Sequence, residues 1–223
     1  MHTYEVEIKS LLGSKENADA LREKLRAEGL KEKGGHSQLN HYFNEPEKRD
    51  ALLEAIMPLV LEEKHDALKR ILGEGKNISV RTRDADGTVL VVVKASIGDD
   101  SSANGVKRIE FEEKVDKTLD ELDQVLLDAG LTYQAKWSRQ REEYAGKDVT
   151  VTIDKNAGYG YVAEFEKMTD SSEKAESIRE ELLSLMKGMG VAELPQDRLE
   201  RMFDFYNTHW DEYYGTDNIF TIE

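Results

Sequence analysis

The amino-acid sequence predicts an α+β protein in which about eight short strands form an antiparallel barrel or sandwich with helices packed against it. Three observations lead there. Apolar and polar residues alternate in eight separate segments, few of them separated by a helix of the length that a parallel crossover needs. Asp86-Gly87, between two of these segments, is a tight-hairpin signal. The helical segments carry their apolar residues on one face, as helices lying on a sheet do.

Taken in order, Tyr4 to Ser10 is the first strand, and Ser14 caps a helix with Ala18, Leu21 and Leu25 on one face and Gly29 as its stop. Gln38 to Phe43 returns to period two. A helical stretch from about Lys48 to Leu72 contains Pro58, which predicts a kink or a break into two helices. Ile78 to Thr82 with Arg83, Val89 to Lys94, and Lys107 to Val115 read as strands, with Asp99 to Gly105 a polar surface loop. Thr118 and Glu121 have capping-box spacing and open a helix with Leu122, Val125 and Leu126 inward, closed by Gly130. Strands follow at Arg139 to Tyr144, Val149 to Asp154 and Val162 to Lys167. A helix from about Ser172 to Met186 turns Ile178, Leu182 and Leu185 inward. Pro195 opens a last helix to about Trp210, whose Phe203, Tyr206 and Trp210 form one docking aromatic face. The expected organisation is a domain over residues 1–190, with a helical insertion at about 48–73, and a C-terminal helical extension over 191–223.

Composition narrows the function. The 223 residues hold 46 Asp plus Glu against 31 Lys plus Arg, a net charge of −15, which argues against a nucleic-acid duplex as the main partner. Zero cysteines exclude disulfides, thiolate nucleophiles and Cys-ligated metals. No apolar run approaches the roughly 18 residues that span a bilayer, and no membrane partner is expected. The first residues lack the apolar stretch of a signal peptide, so a cytoplasmic location is expected. Gly158-Tyr-Gly-Tyr-Val-Ala163 formally fits a dinucleotide fingerprint, but a charged strand follows it instead of a helix. Asp84-x-Asp86-Gly87 begins like a calcium loop, yet apolar strand residues follow. His36 and His41 read as surface or packing residues, and no G-x-S-x-G elbow is present.

Side-chain parity is the informative signal, because residues two apart on a strand share a face. Glu5, Glu7 and Lys9 lie opposite Val6 and Ile8. Arg81 and Arg83 lie opposite Val80 and Thr82. Arg108, Glu110 and Glu112 lie opposite Ile109 and Phe111, Arg139 shares a face with Arg141, and Glu164 shares one with Glu166 opposite Phe165. Lys94 and Asp154 each end an apolar strand. One face of almost every strand is therefore charged and the other apolar. Two arrangements satisfy this: a sheet whose charged face is ordinary solvated surface, or a closed barrel with a polar interior. Interior charges need water, metal ions or a charged ligand, and carboxylates with Arg and Lys suit a metal–polyphosphate complex.

These residues resemble the triphosphate tunnel metalloenzymes, the CYTH superfamily of class IV adenylyl cyclases, thiamine triphosphatases and inorganic triphosphatases. Glu5-Val6-Glu7-Ile8-Lys9 matches the E-x-E-x-K signature. In order there follow Gln38 with Tyr42-Phe43, Arg81-x-Arg83, Lys94, Arg108-x-Glu110-x-Glu112, Arg139-x-Arg141-x-x-Tyr144, Asp154, and Gly158-Tyr159-Gly160 leading to Glu164-Phe165-Glu166. The resemblance covers about residues 3–168 and implies an eight-stranded antiparallel β-barrel tunnel with helices packed outside. It implies that Arg81, Arg83, Lys94, Arg139 and Arg141 clamp a triphosphate, with Arg108 and Lys136 as further substrate contacts, and that Lys9 lies close to the reacting phosphate as the catalytic residue. Glu5, Glu7, Glu110, Glu112, Asp154, Glu164 and Glu166 would hold Mg²⁺ or Mn²⁺, directly or through water. The chain departs from the family at Asn40, where an acidic residue is frequent, in the insertion, and in the extension. Packing, covering a tunnel mouth, binding a partner and forming a homodimer are the roles open to these additions.

The expected function is a divalent-metal-dependent phosphohydrolase acting on inorganic triphosphate, a nucleoside triphosphate or another organic triphosphate. The alternative is a class IV adenylyl cyclase making cyclic AMP and pyrophosphate from ATP. A non-catalytic polyphosphate or phospho-ligand binding module is the second alternative.

Overall fold

The computed structural model describes residues 4–96 and 108–222. It is α+β, with eight antiparallel strands and six helices among the described residues. The strands are β1 (Tyr4–Gly13), β2 (Lys31–Phe43), β3 (Lys76–Ala85), β4 (Thr88–Ser96), β5 (Arg108–Lys114), β6 (Tyr133–Gly146), β7 (Val149–Asn156) and β8 (Gly160–Thr169). The helices are α1 (Lys15–Ala27), α2 (Arg49–Ile56), α3 (His65–Glu74), α4 (Leu119–Asp128), α5 (Ala175–Gly188) and α6 (Gln196–Tyr213). Strand order is β1-β8-β7-β6-β2-β3-β4-β5. All eight expected strands are present, most of them longer than alternation alone marks. The expected polar loop over Asp99 to Gly105 and the start of the strand expected from Lys107 lie outside the described residues.

The chain divides into two compact units, one made of residues 4–37 with 138–222 and the other of 38–96 with 108–137. In the first, β1 pairs with β8 and β8 with β7, and α1 and α5 supply the apolar cover. Ser14 caps α1, its hydroxyl accepting from the Asn17 amide at 3.3 Å. Ala18, Leu21 and Leu25 then join Val6, Ile8, Val151, Ile153 and Phe165 in one buried cluster, with Ile178, Leu182 and Met186 of α5. Met186 takes the innermost place expected for Leu185, which is half-buried.

The C-terminal segment belongs to this unit. Pro195 stands at the N-cap of α6, which buries Met202 and Tyr206 and bends at His209. Of the predicted Phe203–Tyr206–Trp210 face, Tyr206 is buried, Trp210 half-buried and Phe203 39% exposed, and Phe205 and Tyr213 add ring contacts with Phe220 and Tyr206. Beyond α6 the chain returns to the β7–β8 turn, where the Gly158 amide donates to the Asn218 carbonyl and the Phe220 amide donates to that of Gly158. Gly158 has φ +79°, and a Cβ there would meet the Tyr206 and Phe220 rings at 2.8 Å.

In the second unit, β2 pairs with β3, β3 with β4 and β4 with β5. Asp86 and Gly87 both have positive φ, as a two-residue hairpin with primed-turn geometry requires. Pro58 breaks the insertion into α2 and α3, with single 3₁₀ turns at Met57–Leu59 and Glu62–Lys64 between them. Leu52, Ile56, Leu68 and Ile71 of this pair bury against Val80, Val91, Val93 and Phe111. Thr118 and Glu121 form the predicted reciprocal capping box, and α4 buries Leu119, Leu122 and Leu126. The fourth buried residue of α4 is Asp123, where the sequence points to Val125. Each fully buried leucine contributes about 1.5–3 kcal/mol relative to exposure.

Two substitutions measure these contributions. Leu122→Ala is expected to lower the free energy of unfolding by about 2–5 kcal/mol in a urea titration, and Thr118→Ala by about 1 kcal/mol. Gly158→Ala is expected to release the C-terminal segment, read as faster amide exchange at residues 215–222 than in the unaltered chain.

Candidate functional site

Strand alternation in the first unit separates Val6, Ile8, Val151, Ile153 and Phe165, which meet the helices, from Glu5, Glu7, Lys9, Thr152, Asp154, Glu164 and Glu166 on the other face. Register then decides neighbours: Glu7 stands opposite Glu166, Lys9 opposite Glu164, Thr152 opposite Glu164, and Arg141 opposite Asp154. Lys9 Nζ lies 3.0 Å from Glu164 and also pairs with Glu7. Arg141 donates to both oxygens of Asp154 at 2.7 and 2.6 Å and to Glu164 at 2.7 Å. Arg139 donates to Asp154 at 3.1 Å. The result is a continuous chain of alternating charge, Glu7–Lys9–Glu164–Arg141–Asp154–Arg139.

Burial opposes ionisation of Glu164, but Lys9, Arg141 and Arg139 outweigh it and hold the carboxyl well below the usual range. Glu166 behaves in the opposite way. Burial, together with the carboxyl of Glu5 hydrogen-bonded to it, pushes Glu166 up to about 7. Thr152, at the edge of this cluster, was not singled out by the sequence; its hydroxyl is buried with no hydrogen-bond partner among the described residues.

The second unit builds a cationic cluster. Asn40, Tyr42, Arg81 and Arg83 share a face opposite His41, Phe43, Val80 and Thr82, and Asn40 pairs in register with Arg83 and Tyr42 with Arg81. Arg81 Nη1 donates to the Tyr42 hydroxyl at 2.7 Å, and its guanidinium lies 5.4 Å from the Tyr42 ring centroid. Arg83 Nε donates to Asn40 Oδ1 at 2.9 Å, and its Nη1 pairs with Glu112 at 3.0 Å. Lys94 pairs with Glu110 at 3.0 Å, and Arg81 Nη2 approaches the same carboxylate at 3.6 Å. The Nε of Arg81 is buried and has no acceptor among the described residues. A donor so placed is costly unless an oxygen meets it.

Not every sequence-predicted residue joins a cluster. Lys136 Nζ lies 4.3 Å over the Tyr133 ring and 3.9 Å from Asp123 of α4. Arg108 occupies the first position of β5, and its side chain lies outside those described. His41, expected as a packing residue, is buried and bonds Asp123 at 2.6 Å. The sequence did not single out Asp123. Its signal was a carboxylate within the apolar stripe Leu119, Leu122, Leu126.

Among the described residues, no three acidic or histidine side chains converge on one point as a finished metal site. The donor set nevertheless fits a hard divalent ion. Burial and then repulsion from Glu5 raise Glu166, and a cation between two such carboxyl groups relieves the second of these. No helix among the described residues is long and apolar enough to cross a membrane.

Comparison with known proteins follows the same lines. No curated protein matches the chain. Among solved structures, one from Pyrococcus horikoshii OT3 superposes with a TM-score of 0.59 at 17% identity, covering 86% of this chain and 92% of that one. A second from the same organism gives 0.58 at 20% identity, covering 86% and 94%. A "putative adenylate cyclase" from Vibrio parahaemolyticus gives 0.60 at 16% identity, covering 92% and 99%. At these identities the likeness is one of fold. The family model of the CYTH domain matches residues 3–198, and its span takes in both charged clusters, so the chain belongs to the CYTH domain family.

Proposed function

We propose that the chain is a divalent-metal-dependent phosphohydrolase whose substrate is a triphosphate-bearing small molecule. The buried Nε of Arg81, set among Arg83, Lys94 and Tyr42 and with no acceptor among the described residues, carries this reading. A guanidinium held by a neutral phenol at Nη1 keeps its charge and a free N–H for a phosphate oxygen, which it meets with the planar donor geometry suited to that group. Arg83 and Lys94 take further phosphate oxygens, exchanging their carboxylate partners in part for the ligand, and Arg139 and Arg141 are phosphate-binding groups of the same kind in the first unit. Thr152 offers one more hydroxyl.

Glu5, Glu7 and Glu166, with Glu164 and Asp154, are the residues that would hold Mg²⁺ or Mn²⁺, and Glu110 and Glu112 are the corresponding carboxylates of the second unit. When bound, the ion neutralises phosphate charge and polarises a phosphoryl oxygen. Lys9, paired with Glu7 and Glu164, supplies a point charge for the phosphate under attack. Water attacks the terminal phosphorus in line with the bridging oxygen that leaves, and the Arg and Lys side chains stabilise the charge gathering on the leaving phosphate. The cyclase reading draws on the name of the Vibrio parahaemolyticus structure and needs the same phosphate and metal ligands.

Products separate the readings. With tripolyphosphate or ATP and Mg²⁺ or Mn²⁺, chromatography is expected to show orthophosphate. Cyclic AMP with pyrophosphate would replace the proposal by the cyclase, and binding without product would leave a binding module. Glu5→Gln combined with Glu7→Gln is expected to abolish turnover and its dependence on metal, and unchanged turnover removes both as ligands. Arg81→Ala is expected to weaken tripolyphosphate binding by about 1.5–3 kcal/mol in calorimetry.

A further inference from the structure

Behind the cationic cluster, on the helix side of the same strands, lies a polar group that the proposed chemistry does not use. Asp123 of α4 is 2% exposed. Its Oδ1 accepts from the Thr82 hydroxyl at 2.5 Å, and its Oδ2 accepts from the Tyr133 hydroxyl at 2.6 Å and lies 2.6 Å from His41 Nδ1. Burial opposes ionisation of this carboxyl, but the hydrogen bonds from His41, Thr82 and Tyr133 prevail and lower its pKa. An ionised carboxylate only accepts, so His41 Nδ1 carries the proton in this contact.

The register shows what the network holds. Asn40–Arg83, His41–Thr82 and Tyr42–Arg81 are three consecutive pairs across β2 and β3. The outer two pairs present the guanidinium groups and their holders on the charged face. The central pair presents both of its side chains to Asp123 on the opposite face. A slip of one residue would carry His41 and Thr82 to the wrong face and the arginines into the apolar cluster. A single α4 carboxylate thus grips both members of the pair lying between the two arginines.

We propose that Asp123 is a positioning residue for the triphosphate clamp: through His41 and Thr82 it fixes the β2–β3 pair and with it the guanidinium groups of Arg81 and Arg83. The proposal rests on the reading of those arginines as phosphate ligands. Its structural half stands without a ligand and is tested without one.

The variant is Asp123→Asn in the full chain, which keeps the side-chain shape but replaces one of the two accepting oxygens, and the charge, by an N–H donor. The first measurement is NMR of the arginine Nε–H groups in ligand-free protein. The Arg83 signal, hydrogen-bonded to Asn40, is expected to be resolved and slow to exchange in the unaltered chain, and to exchange about tenfold faster in the variant, the change that loss of about 1.4 kcal/mol of holding produces. The second measurement is calorimetric titration with inorganic tripolyphosphate. Affinity is expected to fall about tenfold, non-additively with Arg83→Lys, because both changes act through one guanidinium.

Thr82→Val, which removes one donor, is expected to give a smaller change in the same direction, and Thr82→Ser to restore the behaviour of the unaltered chain. These two decide the matter if Asp123→Asn does not fold. Unchanged Arg83 exchange with only a lower unfolding temperature overturns the proposal, leaving Asp123 as a core anchor. If the unaltered chain fails to bind tripolyphosphate, the ligand reading falls, and the role of Asp123 as a positioner of a triphosphate clamp falls with it; Arg83 exchange then reports only whether Asp123 holds the strand pair.

Discussion

The structure depends on one electrostatic constraint: a strand face that carries charged side chains out of bulk water must match nearly every charge with its opposite or with a hydrogen bond. In the first unit the matching runs from Glu7 through Lys9, Glu164 and Arg141 to Asp154. In the second it runs through Arg83 to Glu112 and through Lys94 to Glu110. Register places Lys94 directly opposite Glu110 and Lys9 opposite Glu164, while the long arms of Arg83 and Arg141 reach across an intervening strand to Glu112 and Glu164. The apolar faces behind supply the driving force, while the charged faces determine which strand neighbours are tolerable.

The matching is deliberately incomplete in chemical effect. Glu166 shares a hydrogen bond with the carboxyl of Glu5, and Arg81 keeps a buried N–H with no acceptor among the described residues. Fully paired groups such as Arg141 and Asp154 rigidify the face, whereas these imperfectly paired ones are where an added cation or anion gains the most. Order and reactivity are therefore carried by different residues of the same sheet.

Parity along strands made the eight strands and the charged faces legible in the sequence, because a two-residue period and a one-sided core coincide in Glu5 to Lys9 or Ile78 to Arg83. The early part of β2 was not legible. Residues 31–37 are largely exposed, so their backbone is extended without any apolar alternation to report it. The stripe of α6 was legible in part: Tyr206 is buried as the period predicts, but Met202 takes the inward place next to Phe203, which is 39% exposed. Asp123 escaped for a different reason. A carboxylate inside an apolar stripe reads as a solvated residue until its partners are known, and those partners, His41 and Thr82, sit far away in sequence and looked like packing residues between more conspicuous neighbours. Lys136, three residues before Arg139 and so of opposite parity on the strand, lies over the Tyr133 ring and 3.9 Å from Asp123.

The pairing of β1 with β8 has a consequence for how the chain is made. Among the described residues one unit takes 38–96 and 108–137, whereas the other takes 4–37 before them in sequence and 138–222 after them. During synthesis Tyr4 to Gly13 must wait for Gly160 to Thr169, its sheet partner, to emerge. Closing so long a loop is entropically slow, and until it closes the apolar side of the first strand lacks the sheet partner beside it. The glutamate-and-lysine face of that strand then serves the nascent chain as well as the folded one, since charges at every second position make a waiting strand a poor template for pairing with another chain.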